Sequence, residues 1–364
     1  MDLKNLGYDI FFQNHFNKLE NKNLQVARVV NEQKARYRVV SESGETYAEI
    51  SGKFQYSAKL KADYPAVGDW VAIEQKNNNF AIIHSLLPRK SFFTRNMASY
   101  NKRFSGGVTE SQVLASNIDT VFIVVALDNN FSIRRVERYL TQVWDSGARA
   151  VIILNKEDLC GDKEEKILQI ESIAAQSQVI SMSATNDDNI GALLQNYFNV
   201  GETIVLFGSS GVGKSTIINK ILGYDKQKTS NISDNIKKGM HTTTSRELIV
   251  LKNGGILMDT PGIKELQLWT DEESVKNNFD DIEKIAKNCK FNNCQHNTEP
   301  DCAIQEALLN NELDIKRFTS YLDIKKEVEN LKTRKVKSPH QQRKQKGKNL
   351  SKLIKQMKKD KRRY

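Results

Sequence analysis

TIVLFGSSGVGKSTIINKIL, residues 203–222, joins an apolar run to a glycine-rich loop and then to an amphipathic segment. Its centre, from Gly208 to Ser215, fits the phosphate-loop pattern G-x-x-x-x-G-K-S. The glycines allow successive backbone amides to point at phosphate oxygens, and the positive end of the following helix strengthens the attraction. In such a loop Lys214 neutralises phosphate charge and the Ser215 hydroxyl coordinates magnesium. The stretch therefore predicts a strand over 203–207, a phosphate-binding loop and a helix over 215–222.

Strands and helices alternate on both sides of this loop. Continuous apolar runs predict strands, and segments with helical spacing lie between them. The expected strands are Val121–Leu127, Ala150–Leu154, Val179–Met182 and Ile256–Met258. The expected helices are Ile133–Trp144, Lys163–Ala175 and Asn189–Phe198. This alternation predicts an α/β domain with a mostly parallel sheet that helices cover on both faces.

A base-recognition motif, Asn155-Lys156-Glu157-Asp158, directly follows one of these strands. The Asp158 carboxylate can accept hydrogen bonds from N1 and the exocyclic amine of guanine. Adenine offers no donors at those positions, and an unpaired buried carboxylate is strongly disfavoured. Ser181-Met182-Ser183-Ala184 follows the next strand, and a backbone amide there, expected to be that of Ala184, would contact the guanine carbonyl oxygen. Together these stretches predict a guanine-nucleotide site.

The order of these motifs is unusual. In an ordinary GTPase the phosphate loop comes first and the Asn-Lys-x-Asp motif follows later, but here Asn155–Asp158 precede Gly208–Ser215. A site assembled at the carboxyl ends of adjacent strands does not depend on chain order. The sequence therefore predicts a circularly permuted P-loop GTPase domain.

Two further segments are expected at the magnesium and γ-phosphate end of the site. Asp259-Thr260-Pro261-Gly262 follows the last expected strand, so Asp259 would hold magnesium through water and the Gly262 amide would contact the γ-phosphate. Gly239-Met240-His241-Thr242-Thr243-Thr244 has the features of a switch that orders with GTP. One threonine of this segment would bind magnesium, and Thr243 or Thr244 is favoured.

The usual water-orienting glutamine is missing from this chain. The position after Gly262 is Ile263, which cannot orient water. Slow intrinsic hydrolysis is therefore expected, with a polar group supplied from elsewhere. His241 is the nearest candidate in sequence, because a histidine can orient or deprotonate water; the alternative is that it makes only a structural hydrogen bond. The residues expected to act in hydrolysis are thus Lys214, His241 and Thr243.

A segment rich in cysteine and histidine lies near the C-terminus. Cys289, Cys294, His296 and Cys302 supply four soft ligands within fourteen residues. Three thiolates and one imidazole complete a tetrahedral zinc site without an open position, so one structural zinc ion is expected. Three of the four cysteines cluster here and Cys160 stands alone, which argues against a disulfide framework and for a reducing compartment.

Residues 1–90 predict a small β-barrel. Turn-forming residues separate short runs that favour β-structure. These runs are Gln25–Val30, Arg36–Val40, Thr46–Ile50, Trp70–Glu74 and Phe80–His84. Five short strands in this length suit an OB-fold, although the strand count also fits other small barrels.

The 364-residue chain has the composition of a soluble globular protein, with 39% apolar and 27% charged residues. Its longest continuous apolar run, Val121–Leu127, is too short to cross a bilayer, and its start lacks a secretory signal, so a cytoplasmic location without membrane contact is expected. The net charge of +11 is concentrated at the end, because residues 332–364 contain fifteen Lys or Arg and one Asp. Such a tail favours an RNA partner; the alternative is a disordered tail that only increases solubility.

With its motifs in this order, the chain resembles the bacterial ribosome small-subunit-dependent GTPase A family. The similarity covers nearly the whole length, and Met240 is a small departure from the basic or polar residue that relatives often carry there. Besides the nucleotide motifs and the zinc quartet, it includes Val67-Gly68-Asp69-Trp70, Gln112-Val113-Leu114-Ala115-Ser116-Asn117-Ile118-Asp119 and Gly239–Thr244. The resemblance implies an OB-fold, a circularly permuted GTPase domain and a helical zinc-binding domain. It also implies GTP hydrolysis stimulated by the small ribosomal subunit, binding of ribosomal RNA near the decoding region, and a role in late maturation of that subunit.

The expected domain limits follow from these segments. They are a barrel over 1–90, a linker over 91–118, the permuted GTPase domain over 119–273, a helical zinc-binding domain over 274–331 and a basic tail over 332–364. The residues expected to contact the nucleotide are Asn155, Lys156, Glu157, Asp158, Ser183, Ala184, Phe207, Gly208, Ser209, Ser210, Gly211, Val212, Gly213, Lys214, Ser215, Asp259 and Gly262. Magnesium is assigned to Ser215, Thr243 and Asp259.

Two functions remain open from the sequence. The first is an assembly GTPase, expected to be monomeric, whose partners are GTP, GDP, the small ribosomal subunit and its rRNA, and whose hydrolysis drives release from the subunit. The second is an RNA-binding module for which GTP is only a structural ligand. The missing glutamine at Ile263 keeps the second function open.

Overall fold

The computed structural model of the chain describes residues 2–19, 21, 23–33, 36–98, 109–129, 131–174, 177–223, 246–259, 279–291, 294–297 and 299–336. The expected switch Gly239–Thr244, with His241 and Thr243, lies outside the described residues. Gly262, Ile263 and the part of the basic tail beyond Val336 also lie outside them.

The N-terminal part of the chain forms a closed barrel of five strands. The strands are β1 (Gln25–Gln33), β2 (Arg36–Ser41), β3 (Gly44–Ile50), β4 (Trp70–Asn77) and β5 (Phe80–Leu86), with helix α1 (Ile10–Phe16) before them and α2 (Gly52–Ser57) after β3. They pair in the order β1-β2-β3-β5-β4-β1, antiparallel except between β3 and β5. Inward-facing residues such as Val29, Val39 and Ile73 are fully buried. The expected OB-fold barrel is confirmed.

Two strands follow the barrel within the segment that was expected to be a linker. β6 (Phe92–Ala98) and β7 (Thr109–Ser116) pair in antiparallel orientation. The buried ring of Phe93, near the start of this ribbon, packs edge-on against Phe207, with the ring centroids 4.8 Å apart. The ribbon is thereby held against the strand that precedes the phosphate loop.

The expected α/β sheet is built from six further strands. They are β8 (Thr120–Ala126), β9 (Arg149–Asn155), β10 (Gln178–Met182), β11 (Thr203–Phe207), β12 (Glu247–Val250) and β13 (Ile256–Asp259). Helices α3 (Ile133–Ser146), α4 (Lys163–Glu171), α5 (Asp187–Tyr197) and α6 (Lys214–Leu222) connect them. The strand order is β10-β9-β8-β11-β13-β12, and every pair is parallel except β12 with β13. β12 was not predicted, although its residues lie in the apolar run Leu248–Leu251.

A buried arginine fastens the barrel to this sheet. Arg28 on β1 is 1% exposed, and desolvation lowers its pKa to about 10, so it stays charged at neutral pH. It donates hydrogen bonds to the carbonyl oxygens of Leu6, Gly68 (3.2 Å) and Asn117 (3.0 Å) and to the Thr203 hydroxyl (2.9 Å). Because a buried charge is tolerated only when it is well hydrogen-bonded, the fold must keep these acceptors in place around Arg28.

The turn before β4 packs tightly against the end of β7. Gly68 has φ +98°, and a Cβ atom there would lie 2.0 Å from the Ser116 carbonyl oxygen. The buried Asp69 carboxylate accepts hydrogen bonds from the Ala66 amide and from Arg89, each at 2.7 Å. A Gly-Asp pair at this turn is therefore required by space and by hydrogen bonding.

The C-terminal part of the described chain is helical. Its helices are α7 (Asp280–Ala286), α8 (Ala303–Leu309) and α9 (Ile315–Val336), which pack around Phe279, Ile304 and Tyr321. The charged, amphipathic pattern of residues 311–331 predicts a helix that starts at Asn311. Asn311 instead has φ +58°, a left-handed conformation that a helix cannot continue, and the helix starts at Ile315. Among the described residues, none of the helices combines the length and apolar character that crossing a bilayer requires.

Candidate functional site

The phosphate loop connects β11 to α6 at the carboxyl edge of the sheet. Gly208, Gly211 and Gly213 have φ angles of +145°, +82° and +103°, a region that favours glycine. A Cβ atom on Gly208 would lie 2.3 Å from the Val124 carbonyl oxygen, and one on Gly213 would lie 2.1 Å from Asn155 Nδ2. Glycine is thus required at both positions by backbone conformation and by space.

Lys214 lies over this loop at the start of α6. Its ammonium group donates hydrogen bonds to the carbonyl oxygens of Gly208 (2.7 Å) and Ser209. The side chains of Lys214 and Ser215 are half-buried, and Phe207 before the loop is buried. The loop, its lysine and its serine therefore have the arrangement that phosphate binding needs.

Asn155 connects the phosphate loop to the loop that follows β10. Its Nδ2 donates to the Val212 carbonyl oxygen and its Oδ1 accepts from the Ala184 amide, both at 2.8 Å. Asn155 is 1% exposed, so both bonds are shielded from water. Ser183 is also buried, and its amide donates to the Asn189 side chain at 3.1 Å. Three sequence-predicted stretches are brought together by this one side chain.

The other residues of the Asn-Lys-x-Asp motif lie at the same edge of the sheet. Lys156 has φ +66° and forms an ion pair with Asp128 at 3.0 Å. Glu157 accepts a hydrogen bond from the Ser181 hydroxyl at 2.7 Å, which is a second connection between the two stretches predicted to recognise guanine. Asp158 is exposed on a short 3₁₀ turn over 157–159, where its carboxylate can meet a base.

Sequence reasoning missed two polar residues of this site, Asp128 and Arg135. Both line a cavity beside the phosphate loop, together with Lys156 and Tyr139. Arg135, in the first turn of α3, donates a hydrogen bond to the Ser209 hydroxyl at 3.2 Å. Asp128 had a recognisable signal, because it is a polar residue just past the carboxyl end of an apolar strand. Arg135 had none, because its role depends on where α3 packs.

Asp259 is the last residue of β13 and is 7% exposed. β13 pairs in parallel with β11, so its carboxyl end lies beside the start of the phosphate loop. This is the place where a magnesium-shell carboxylate is expected. The partners predicted for it, Thr243 and Gly262, lie outside the described part of the chain.

The four predicted metal ligands converge in the C-terminal region. Their ligand atoms all lie within 4.8 Å of one another. His296 Nδ1 lies 3.6 Å from the sulfur atoms of Cys289 and Cys302, and the Cys302 sulfur lies 3.6 Å from that of Cys294 and 3.9 Å from that of Cys289. Zinc bonds of about 2.3 Å to sulfur and 2.0–2.1 Å to nitrogen give tetrahedral edges of about 3.8 Å and 3.6 Å. The quartet therefore fits a closed tetrahedral metal site.

The histidine of this quartet already has the ionisation state that a metal requires, whereas the thiols must lose their protons to bind one. Desolvation, together with hydrogen bonds to the thiols of Cys302 and Cys289, raises the pKa of Cys294 to about 11. Desolvation and the Lys325 cation lower the pKa of His296, so its imidazole is neutral at neutral pH. Neutral imidazole is the form that binds metals, and a divalent cation removes the protons that crowded thiols otherwise retain.

Comparison with known sequences connects this geometry to one group of proteins. The family model described as RsgA GTPase matches residues 86–269. A small ribosomal subunit biogenesis GTPase RsgA 1 from Oceanobacillus iheyensis is 42% identical over 83% of this chain and 85% of its own length. A small ribosomal subunit biogenesis GTPase RsgA from Syntrophotalea carbinolica is 39% identical over 90% of both chains.

Solved structures have the same architecture. The crystal structure of YjeQ from Thermotoga maritima superimposes with a TM-score of 0.61 and 25% identity, covering 84% of this chain and 98% of that one. The structure of YloQ, described as a circularly permuted GTPase, superimposes with a TM-score of 0.59 at 21% identity, covering 86% and 97% of the two chains. The permuted fold is therefore confirmed by shape as well as by motif order.

Proposed function

This chain belongs to the RsgA GTPase family and is a GTP hydrolase, and we propose that it binds the small ribosomal subunit and its rRNA and acts in late maturation of that subunit. Two relatives that align over most of the chain are named for biogenesis of the small ribosomal subunit. The proposal of nucleotide binding rests on the two hydrogen bonds of the Asn155 side chain. They connect Val212 of the phosphate loop to Ala184 of the loop after β10, which is predicted to contact guanine.

Guanine is proposed to be read at the edge formed by β9 and β10. The exposed Asp158 carboxylate accepts the N1 and N2 protons of the base, and the Ala184 amide donates to its carbonyl oxygen. Because Asn155 already accepts from the Ala184 amide at 2.8 Å, the base shares that donor or shifts this loop slightly. An adenine would leave Asp158 without donors, which is the basis of specificity.

The phosphates are proposed to lie on the loop amides from Ser209 to Ser215. Lys214 is positioned over the loop by the Gly208 carbonyl oxygen and can transfer its hydrogen bonds to the β- and γ-phosphates. Ser215 and Asp259, with Thr243, are the proposed ligands or water-mediated ligands of magnesium. When bound, this ion neutralises charge that develops between the β- and γ-phosphates.

Hydrolysis is proposed to depend on docking to the subunit. Ile263 cannot orient the attacking water, so the isolated protein turns over GTP slowly. Docking is proposed to place His241 of the segment Gly239–Thr244 at the γ-phosphate, where it can orient or deprotonate that water.

The C-terminal quartet is proposed to hold one zinc ion in a structural role. Its four ligands leave no open position, so the ion contributes to folding and not to hydrolysis. The basic tail is proposed to bind rRNA phosphates, and the protein is proposed to act as a cytoplasmic monomer.

Single-turnover GTP hydrolysis with and without purified small subunits tests the proposed function. Protein is held in excess over GTP, and large subunits serve as the matched control for ribosomal RNA in general. We expect small subunits to accelerate the chemical step and large subunits to leave it nearly unchanged. Equal rates in all three conditions would favour the other function, an RNA-binding module that uses GTP only as a structural ligand.

A further inference from the structure

Strand β12 lies between the barrel and the magnesium end of the nucleotide site. On one side it pairs with β13, where Glu247 is directly opposite Asp259. On the other side it pairs with β1 of the barrel, where Asn31 is directly opposite Glu247. The barrel and the α/β sheet are thus one continuous eleven-stranded sheet, and Glu247 is the residue at which they meet.

A single row of side chains crosses this continuous sheet. The register places Tyr47 of β3 opposite Arg38 of β2, Arg38 opposite Asn31, Asn31 opposite Glu247, and Glu247 opposite Asp259. Directly opposite residues in antiparallel strands point to the same face of a sheet. The row therefore extends over five strands, from the exposed ring of Tyr47 on the barrel to the buried carboxylate of Asp259.

Polar contacts join the barrel to β12 along this row. The Arg38 guanidinium donates to the Glu247 carboxylate at 2.5 Å, and both side chains are about 30% exposed. Arg38 also lies 3.4 Å from Glu45 on β3. The Asn31 side chain, 6% exposed, donates to the Arg246 carbonyl oxygen at 2.8 Å and holds the start of β12. Arg38 of the barrel is therefore the counter-charge of Glu247, the residue that lies opposite Asp259 on the neighbouring strand.

Two carboxylates directly opposite each other on adjacent strands repel one another. Here Glu247 and Asp259 have that relation, and the Arg38 cation offsets the charge of Glu247. We propose that Arg38 is a positioning residue that acts through Glu247 on Asp259 and so sets how strongly the nucleotide site holds magnesium. This inference rests on the proposed role of Asp259 as a magnesium-shell carboxylate.

The proposal is tested by measuring how fast a fluorescent, non-hydrolysable GTP analogue dissociates as free Mg²⁺ is varied. Removing the cation in Arg38→Ala makes the field at Asp259 more negative, so we expect the half-saturating Mg²⁺ concentration to fall by about two- to fivefold, the factor typical of a partly exposed charge pair. Removing the anion in Glu247→Gln should raise it by a similar factor. In the double variant the two effects should cancel.

The two single variants are expected to change the half-saturating Mg²⁺ concentration in opposite directions. A loss of structure would instead change it in the same direction in both variants, and that result would overturn the proposal. Arg36→Ala is the matched control, because Arg36 lies on the same strand and pairs at 2.9 Å with Glu49 of β3 on the exposed surface of the barrel. It should leave the Mg²⁺ dependence unchanged.

Asp259→Asn distinguishes a failure of the magnesium assignment from a failure of the proposed coupling. If it leaves the Mg²⁺ requirement unchanged, the magnesium assignment itself fails. If it raises the requirement while Arg38→Ala and Glu247→Gln do not change it, only the coupling is wrong.

Discussion

Asn155 belongs to the guanine motif, and its side chain contacts both the phosphate loop and the loop after β10. The amide nitrogen binds the Val212 carbonyl oxygen, and the amide oxygen binds the Ala184 amide. An aspartate at this position would lack the donor that Val212 needs, and an alanine would leave both buried backbone groups without this partner. The residue type is therefore determined by the need for one donor and one acceptor in a buried place.

The crowding around Asn155 gives a test at Gly213. Gly213→Ala places a methyl group 2.1 Å from Asn155 Nδ2 at φ +103°, so we expect a loss of about 2 kcal/mol or more in stability and at least about tenfold weaker GTP binding. Gly211→Ala is the control, because it has a similar positive φ of +82° but nothing within 4 Å of the new Cβ atom. Equal effects in urea unfolding and nucleotide titration would show that strain, and not the collision, is decisive.

His241 gives a test of the hydrolysis step. His241→Ala should lower the rate stimulated by the small subunit by about a hundredfold, a magnitude typical of general acid–base groups, while GTP affinity stays nearly unchanged. Met240→Ala, in the adjacent position, should keep most of the stimulated rate. Single-turnover hydrolysis of both variants decides the point. A normal stimulated rate in His241→Ala would assign the role to ribosomal RNA or to another side chain.

Helix α3 has contacts on two sides that connect different parts of the protein. In its first turn Arg135 binds Ser209 of the phosphate loop at 3.2 Å. Nearby on the same helix, the buried Glu137 accepts from Arg317 at 3.0 Å and from the Ser320 hydroxyl, both on α9. Arg317 in turn binds Asp281 on α7 at 2.6 Å and 2.8 Å. α3 therefore packs the nucleotide site against the helical C-terminal region through charged groups.

The Glu137–Arg317 pair predicts a pH-dependent loss of stability. Arg317→Ala should cost about 3 kcal/mol at neutral pH, because it removes the cation from a buried carboxylate. Burial raises the pKa of Glu137 above its usual value, and the hydrogen bond from Ser320 and the charge of Arg317 offset only part of that rise. Without Arg317 the pKa rises further, so the carboxyl binds a proton more strongly in the folded than in the unfolded state. Stability of the variant should then fall as pH rises through that folded-state pKa.

Urea unfolding between about pH 5 and pH 7.5 checks this prediction, and the difference from the unchanged protein should shrink toward the acid end. Arg149→Ala is the control, because Arg149 is 68% exposed and its pair with Glu202 lies at the surface. Its cost should stay within about 0.5 kcal/mol at every pH. A pH-independent cost for Arg317→Ala would mean that packing of the guanidinium, for example over Phe279, is the larger contribution.

The metal quartet makes a prediction for the C-terminal helical region. Protein purified without chelators should contain one zinc ion per chain, and Cys294→Ser should lose most of it and loosen α7 and α8, because a closed site contributes directly to folding free energy. Cys160→Ser is the matched control, since Cys160 lies beside Asp162 and Lys166 and far from the quartet in sequence. Metal analysis with hydrogen exchange measures both effects. Zinc-free protein with unchanged protection would contradict the assignment.

At the scale of the whole molecule, charge is divided between a nearly neutral body and a basic end. Residues 337–364 contain twelve Lys or Arg and one acid. If several of these cations contact phosphates, deleting 337–364 should flatten the slope of log affinity for the small subunit against log salt by roughly 0.7 for each lost contact. Basal GTP hydrolysis is the control and should not change. An unchanged slope would leave the tail only the role of increasing solubility.

The sequence by itself determined the kind of domain and the kind of site. The apolar strands are recognisable from local patterns in the sequence. So are the glycine-rich loop over 208–215 and the Asn155–Asp158 run, and both lie at strand ends, where an α/β fold binds its ligands. The same holds for the spacing of Cys289, Cys294, His296 and Cys302, because ligand chemistry is readable from residue type. The expected helix start at Asn311 was wrong, because only the structure shows the left-handed turn there.

Only the tertiary structure decided how these parts are joined. Arg28 meets Thr203 across 175 residues, Arg38 meets Glu247 across 209, and Glu137 meets Arg317 across 180. No local periodicity encodes such pairs, because each depends on the packing of two elements that are individually specified without it. Strand β12 shows the same limit, because its pairing with β1 of the barrel cannot be predicted from its own residues. Sequence fixes what each element can be, and the packing of distant elements decides which charges face one another.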